Sequence, residues 1–229
     1  MLGSFLAICT LFLFSGCFTT DVTAQETRDL KPFTGIGIGI SADVYYTQGN
    51  DHVIKIEGND RDVKDLITEV DNGYLKLKYD DWKIKRSRLT IHVTSGELEK
   101  VSMSGSGKFR AEKPVSSEEM KISVSGSGSV QFSSLESDEM EVRISGSGNT
   151  VLDRGVADEL ALRISGSGKL MAEQFEVSEF EGSISGSGSC RITVKEELNA
   201  RISGSGNVYY HGDPEVNSVA SGSGKVRAL

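Results

Sequence analysis

The chain has 229 residues, a formal net charge of -8, 26 glycines and only 3 prolines, and 37% of its residues are apolar. This composition supplies a core and speaks against a collagen-like or disordered chain. The acidic balance, with no clustered stripe of Lys and Arg, speaks against nucleic acid or anionic lipid as a partner, because phosphate recognition needs concentrated positive charge.

From the N-terminus, Phe5 to Phe14 is an apolar run too short to span a bilayer and well placed for a signal-peptide core. It predicts export to the cell envelope. Phe14-Ser15-Gly16-Cys17 is similar to a lipobox. On that reading residues 1–16 are the signal peptide, Cys17 is lipidated, and the membrane is touched only through the N-terminal lipid of an outer-membrane lipoprotein. Ordinary cleavage after Val22-Thr23-Ala24, giving a periplasmic or secreted protein, meets the small-residue rule as well, and both readings stay open. In the lipobox reading residues 17–32 form a linker. In both, Cys190 is the only cysteine left for the folded domain, so no intramolecular disulfide is expected.

The domain is expected to run from Phe33 to Leu229. Gly35 to Ile40 alternates as a strand does, and Asp43 to Thr47 and His52 to Glu57 flank Gln48-Gly49-Asn50-Asp51 in the manner of a hairpin. Asp60 to Val70 spaces Val63, Leu66, Ile67 and Val70 three and four apart, which predicts a short helix with Asp60 as N-cap. Tyr74 to Tyr79 alternates after Asp71-Asn72-Gly73, and Ser87 to Thr94 and Leu98 to Met103 lead into the second half of the chain.

That second half is a repeat. SGSG begins at Ser104, Ser125, Ser145, Ser165, Ser185, Ser203 and Ser221, at spacings of 21, 20, 20, 20, 18 and 18. A flexible linker would not recur at near-constant spacing inside apolar sequence of fixed phase. Side chains alternate between faces along a strand, and Met120, Ile122, Val124, Gly126, Gly128, Val130 and Phe132 share one parity while Lys121, Ser123, Ser125, Ser127 and Ser129 share the other. The glycines are therefore expected to face inward and the serines outward, in hydroxyl ladders between coils about 4.8 Å apart. Asn149-Thr150-Val151-Leu152 carries its apolar residue one place late, which suggests a bulge. The architecture expected is an all-β, single-stranded β-solenoid of ~20-residue coils, with a less regular N-terminal β part containing one short helix.

These residues together resemble the auto-transporter adhesin, head GIN domain family (DUF2807). The matching parts are the Phe33 to Ile40 opening, Asp43-Val44-Tyr45 with Gln48-Gly49, Asn72-Gly73-Tyr74-Leu75, Leu98-Glu99-Lys100-Val101, and the SGSG copies followed by an apolar residue. The resemblance implies a right-handed, pectin-lyase-like solenoid, an envelope location in Bacteroidetes-type bacteria and a role in adhesion. It brings no catalytic motif.

Candidate chemistry is sparse. Glu118-Glu119, Asp138-Glu139, Asp158-Glu159, Glu179 and Glu196-Glu197 recur one coil apart, so stacking would bring like charges together. Glu119, Asp138, Glu139, Asp158 and Glu159 are thus weak candidates for a calcium ladder, since the ligands are all oxygen. The plainer reading, which we favour, is a solvated corner with its charge offset by Arg143, Arg163 and Arg201. His52, His92 and His211 stand far apart in sequence and without metal-ligand spacing, and G-x-S-x-G does not occur, so neither zinc nor a serine nucleophile is expected. Cys190, on the inward row, reads as a small apolar residue. Trp82, beside Asp81 and Lys83, is either an exposed contact for carbohydrate or partner or a cover for one end of the solenoid. The leading functional expectation is a non-enzymatic envelope protein that contacts a surface glycan or an envelope protein. A passive scaffold lipoprotein and a polysaccharide-active enzyme are the alternatives.

Overall fold

The computed structural model describes residues 23–81 and 84–229. The N-terminal part holds β1 (Thr23–Asp29), β2 (Gly35–Ile38), β3 (Ala42–Gln48), β4 (Val53–Asn59), α1 (Asp60–Asp65), β5 (Ile67–Asp71), β6 (Tyr74–Lys78), β7 (Leu89–Ser95), β8 (Lys100–Met103) and β9 (Lys108–Ala111). The repeats form β10 (Val115–Gly126), β11 (Ser129–Phe132), β12 (Leu135–Gly146), β13 (Asn149–Leu152), β14 (Gly155–Gly166), β15 (Lys169–Gly186), β16 (Ser189–Gly204), β17 (Asn207–His211), β18 (Glu215–Gly222) and β19 (Lys225–Ala228). They stack in parallel as a β-solenoid of about 6 turns.

Each coil has three sides. One is the second half of the long strands, where Met120, Met140, Leu160, Phe180, Leu198 and Val216 lie in register. The next comes after the SGSG corner, where Phe109, Val130, Thr150, Leu170, Cys190, Val208 and Val226 lie in register. The third is the first half of the long strands, Val115, Leu135, Gly155 and Phe175. Before the last coil, where Val216 is exposed, the inward rows are almost fully buried, Ile122, Val130, Leu162 and Phe180 each at 1% exposure or less. Burying one such side chain contributes about 1.5–3 kcal/mol. No coil can do so alone, so each row depends on the coils on either side.

The SGSG segment is the corner, and here the structure corrects the expected parity. Only the second glycine of each copy faces inward and is buried. In every copy after the first, the first glycine turns the chain, with φ of 108°, 114°, 119°, 114°, 117° and 119° at Gly126, Gly146, Gly166, Gly186, Gly204 and Gly222. The alternation is broken there because a residue with positive φ cannot continue a flat strand. A Cβ on Gly166 would also fall 2.6 Å from the Gly146 carbonyl oxygen, and one on Gly168 the same distance from the Gly148 oxygen and inside the Ile144 side chain. Backbone bonds cross the corner from coil to coil, Ser147 N to Gly126 O at 3.0 Å and Ser167 N to Gly146 O at 2.9 Å. The serines point outward and stack as expected, Ser125, Ser145, Ser165, Ser185, Ser203 and Ser221 in register.

The bulge expected at Asn149–Leu152 is absent. Val130 pairs with Thr150 and Phe132 with Leu152 without a shift, and Thr150 itself takes the inward slot at 0% exposure, with no partner for its hydroxyl. The irregularity lies one coil on. β15 loses register with β16 between Ala172 and Glu176 and again between Val177 and Glu179, which is how a 20-residue coil meets an 18-residue one.

The N-terminal part departs most from expectation. β3 and β4 are not a hairpin: β7 lies between them, parallel to β3 and antiparallel to β4. Likewise β2 lies between β6 and β8. The chain therefore builds its second coil first (β2, β3), lays the end coil beyond it (β6, β7), and returns past it to start the regular stack (β8, β9). Residues 23–29, read as linker, are the strand β1, paired antiparallel with β4. The helix ends at Asp65, with Asn59 and not Asp60 as N-cap, its side chain accepting from Arg61 N at 3.2 Å. Ile67 and Val70 belong instead to β5, which pairs with β6 across Asn72-Gly73, φ 49° and 73°, the positive pair that a tight two-residue hairpin requires. Pairing by β5, rich in β-branched residues, overrides the weak helical spacing.

This end is closed by cations that reach into the helix turn. Arg28 donates to the carbonyls of Leu66 at 2.6 Å and Val63 at 2.9 Å, and Arg86 donates to the buried Asp62 carboxylate at 3.1 Å and to Asp65 at 2.5 Å. Arg86 also lies 4.5 Å over the Tyr79 ring, and burial pushes the Tyr79 phenol up to about 12. That raised value stabilises the fold below the ordinary phenol range, near pH 10, and the contribution is lost as pH rises toward 12.

Both the corner and the closed end are open to measurement. In urea denaturation, Gly166→Ala should destabilise by about 1–3 kcal/mol, because it forces a side chain into positive φ, whereas Ser167→Ala on the solvent side should stay within about 0.5 kcal/mol. Asp62→Ala, which strips Arg86 and the Ser87 amide of their acceptor, should lower the melting temperature more than Lys64→Ala on the exposed side of the same helix.

Candidate functional site

Identical backbone spacing turns the recurrent acidic residues into a column. Glu119, Glu139, Glu159, Glu179, Glu197 and Glu215 are paired in register on successive coils. Beside them runs a second column, Lys121, Glu141, Ala161, Glu181, Asn199 and Asn217, and beyond it Ser123, Arg143, Arg163, Ser183, Arg201 and Val219. A shallow groove of about 340 Å³ runs along the first two columns, over the buried Met140, Leu160 and Phe180. Glu119 pairs with Lys121 at 2.5 Å, and this hydrogen bond holds the Lys121 ammonium above its usual range. Arg143 pairs with Glu141, and Arg201 stands 4.0 Å from Glu181. The arginines thus neutralise the middle column, while among the described residues no ion pair joins Glu139, Glu159 or Glu179. Asp138 and Asp158 sit at the corner, exposed. Among the described residues no three His, Cys, Asp or Glu side chains converge as a metal ion requires; the carboxylates succeed one another in a line.

A second concavity has no forerunner in the sequence motifs. It lies on the side after the SGSG corner, about 730 Å³, where the coil shortens from 20 to 18 residues. Glu173 and Gln174 have no counterparts in the strand register of the shorter coil and stand out at its edge. Below them Arg191, Tyr209, Asn207 and Lys169 line the cleft with the half-exposed Met171. Arg191 bonds Glu173 at 2.5 Å and lies 5.3 Å over the Tyr209 ring, and Thr193 Oγ1 donates to the Glu173 carbonyl at 2.7 Å. The drop in SGSG spacing between Ser185 and Ser203 was the legible signal of this step.

The remaining candidates are scattered. His52 packs edge-on against Phe33 at 5.7 Å, and His92 stacks on Tyr45 at 5.2 Å. Cys190 is fully buried on the inward row, and desolvation pushes its thiol far above the ordinary range. Cys17 and Trp82 lie outside the described residues.

The model of the family described as "Putative auto-transporter adhesin, head GIN domain" (DUF2807) matches residues 32–214. The chain belongs to this family. Among solved structures, the head GIN domain protein is similar to a "putative adhesin" from Bacteroides fragilis, with a TM-score of 0.86 and 25% identity over 92% of this chain and 98% of that one. A "putative adhesin" from Parabacteroides merdae shares the fold at a TM-score of 0.74 and 23% identity, over 90% and 96% of the two chains. A "putative lipid binding protein" from Parabacteroides distasonis is similar at 0.69 and 27%, over 90% and 96%. A comparison with curated proteins finds no match.

Like charges placed directly opposite destabilise a sheet. Glu159→Gln, in mid-column, should therefore raise the urea midpoint at low ionic strength, and the gain should vanish at about 1 M salt, where the screening length is about 3 Å. Cys190 should be inert to Ellman's reagent in the native protein and react fully once the protein is denatured.

Proposed function

We propose that this head GIN domain protein is a non-enzymatic adhesion component of the cell envelope, exported and held at the outer membrane by a lipid on Cys17. The observation that carries the reading is the set of outward columns. Glutamate, serine and arginine rows repeat in register along a stiff stack and form broad, shallow, polar faces on which many weak contacts can add. Such a surface suits adhesion better than turnover, which needs a few groups converging on one bond. The Bacteroides fragilis relative, described as an adhesin, supports the same reading. Lipid binding, the description of another relative, is less well supported here. The large apolar side chains exposed among the described residues, such as Val156, Met171 and Val219, lie on different sides of the stack and make no shared trough.

The mature protein, labelled and incubated with bacterial cells and mucin-coated surfaces, should bind saturably to at least one of them. Binding should weaken at least tenfold on Glu139→Lys, Glu159→Lys and Glu179→Lys together, with the circular dichroism spectrum unchanged. No saturable binding, or turnover of a polysaccharide by the purified protein, would contradict the proposal. Mass spectrometry of the mature N-terminus should find acylated Cys17; a chain beginning at Gln25 would remove the anchor.

A further inference from the structure

We propose that the cleft at the coil-length step is a binding site for a neutral oligosaccharide. Its volume, about 730 Å³, falls within the range of small-molecule sites. Its charges cancel: Lys169 and Arg191 face Asp153 and Glu173. Most are also engaged, Glu173 by Arg191 at 2.5 Å and Asp153 by the Gln131 amide at 2.9 Å. A charged ligand of either sign would meet a like charge beside each opposite one, so net charge favours neither an anion nor a cation.

The groups left for a ligand are of another kind. Gln174, Ser187, Ser189 and the Tyr209 hydroxyl can each donate and accept, and Asn207, whose Nδ2 donates to the Ser205 carbonyl at 3.2 Å, keeps its Oδ1 as an acceptor, which matches a ligand whose atoms do the same, as sugar hydroxyls do. The Tyr209 ring, held by the Arg191 guanidinium 5.3 Å from its centre, and the exposed Met171 add an apolar surface for the C–H face of a pyranose. A peptide strand is disfavoured because the backbone beneath the cleft is paired from β15 to β16 and from β16 to β17 except at Glu173 to Phe175, too short a stretch for strand addition.

The lining spans the rows of Asp153, Met171, Arg191 and Tyr209, four successive coils. At about 4.8 Å per coil that is about 14 Å along the axis, the footprint of a short chain and not of a single sugar. The inference rests on the reading of this protein as a binding protein, but not on the acidic face.

Titration calorimetry of the mature protein against neutral oligosaccharides of glucose, galactose, mannose and N-acetylglucosamine, each as mono-, di- and trisaccharide, tests it, with sialylated and uronate-bearing oligosaccharides as the acidic arm. At least one neutral series should bind, with affinity rising from mono- to trisaccharide. Tyr209→Ala should weaken it at least tenfold and Asn207→Leu at least threefold, with unchanged melting temperatures, while Glu159→Gln on the acidic face should leave it unaltered. Should Tyr209→Ala fold poorly, Asn207→Leu and Gln174→Ala carry the test. Binding confined to acidic sugars, a panel with no binding at all, or affinity indifferent to both cleft variants would overturn the proposal. Adhesion to cells that persists beside a flat sugar panel would remove the saccharide site and leave the adhesion reading standing; loss of both would remove both.

Discussion

The fold depends on one backbone constraint: the chain must turn a corner at the same place in each regular coil without dropping its hydrogen bonds to the coil below. A glycine at φ near 115° does this, as at Gly146, Gly166, Gly186 and Gly204. It leaves room for the carbonyl of the preceding coil and keeps the next amide pointed at it. The second glycine of each copy meets a different demand, since the buried Ile144, Ile164 and Ile184 side chains occupy the space its Cβ would need. One tetrapeptide thus solves a conformational problem and a packing problem two residues apart, and the serines are what remains on the outside.

Once corners coincide, everything between them is forced into columns. Apolar residues gain from this, because each inward row becomes a continuous core. Charged residues do not gain in the same way. The glutamate column is held together by the backbone while its charges repel, and the pair of Glu119 with Lys121 relieves only one end of it. A stack that maintains such a column along an exposed face has a surface of strong local field and little shape, whereas the step from 20 to 18 residues gives the neighbouring side depth. Surface chemistry in this protein is set by coil length as much as by residue type.

The regular stack was readable from the sequence because its cause is local: the SGSG spacing gives the coil, and a 20-residue period places Glu119, Glu139 and Glu159 one above another before any coordinates are known. The role of the first glycine was not readable, because alternation alone cannot distinguish an inward glycine from one at positive φ. Thr150 misled for a similar reason. It fills an inward slot normally held by an apolar residue, and only the register shows that no residue has been inserted. In the N-terminal part, Gln48 to Asp51 carries good turn residues, yet β7 separates the flanking strands, since non-local pairing outweighed the local turn signal. The cleft was hidden because Arg191, Tyr209 and Glu173 form no motif in sequence and meet only across coils.

The central claim is that successive tetrapeptides lie directly above one another with a constant rise. Pulsed electron-electron resonance on proteins spin-labelled at the solvent-facing Ser125 and, in turn, at Ser185, Ser203 or Ser221 measures this most directly, because these positions share one column. At about 4.8 Å per coil the separations should lengthen in equal steps, to about 14, 19 and 24 Å, each as a narrow distribution. Broad distributions, or separations that fail to grow by one coil height at each step, would contradict the stacked architecture and all that is built on it.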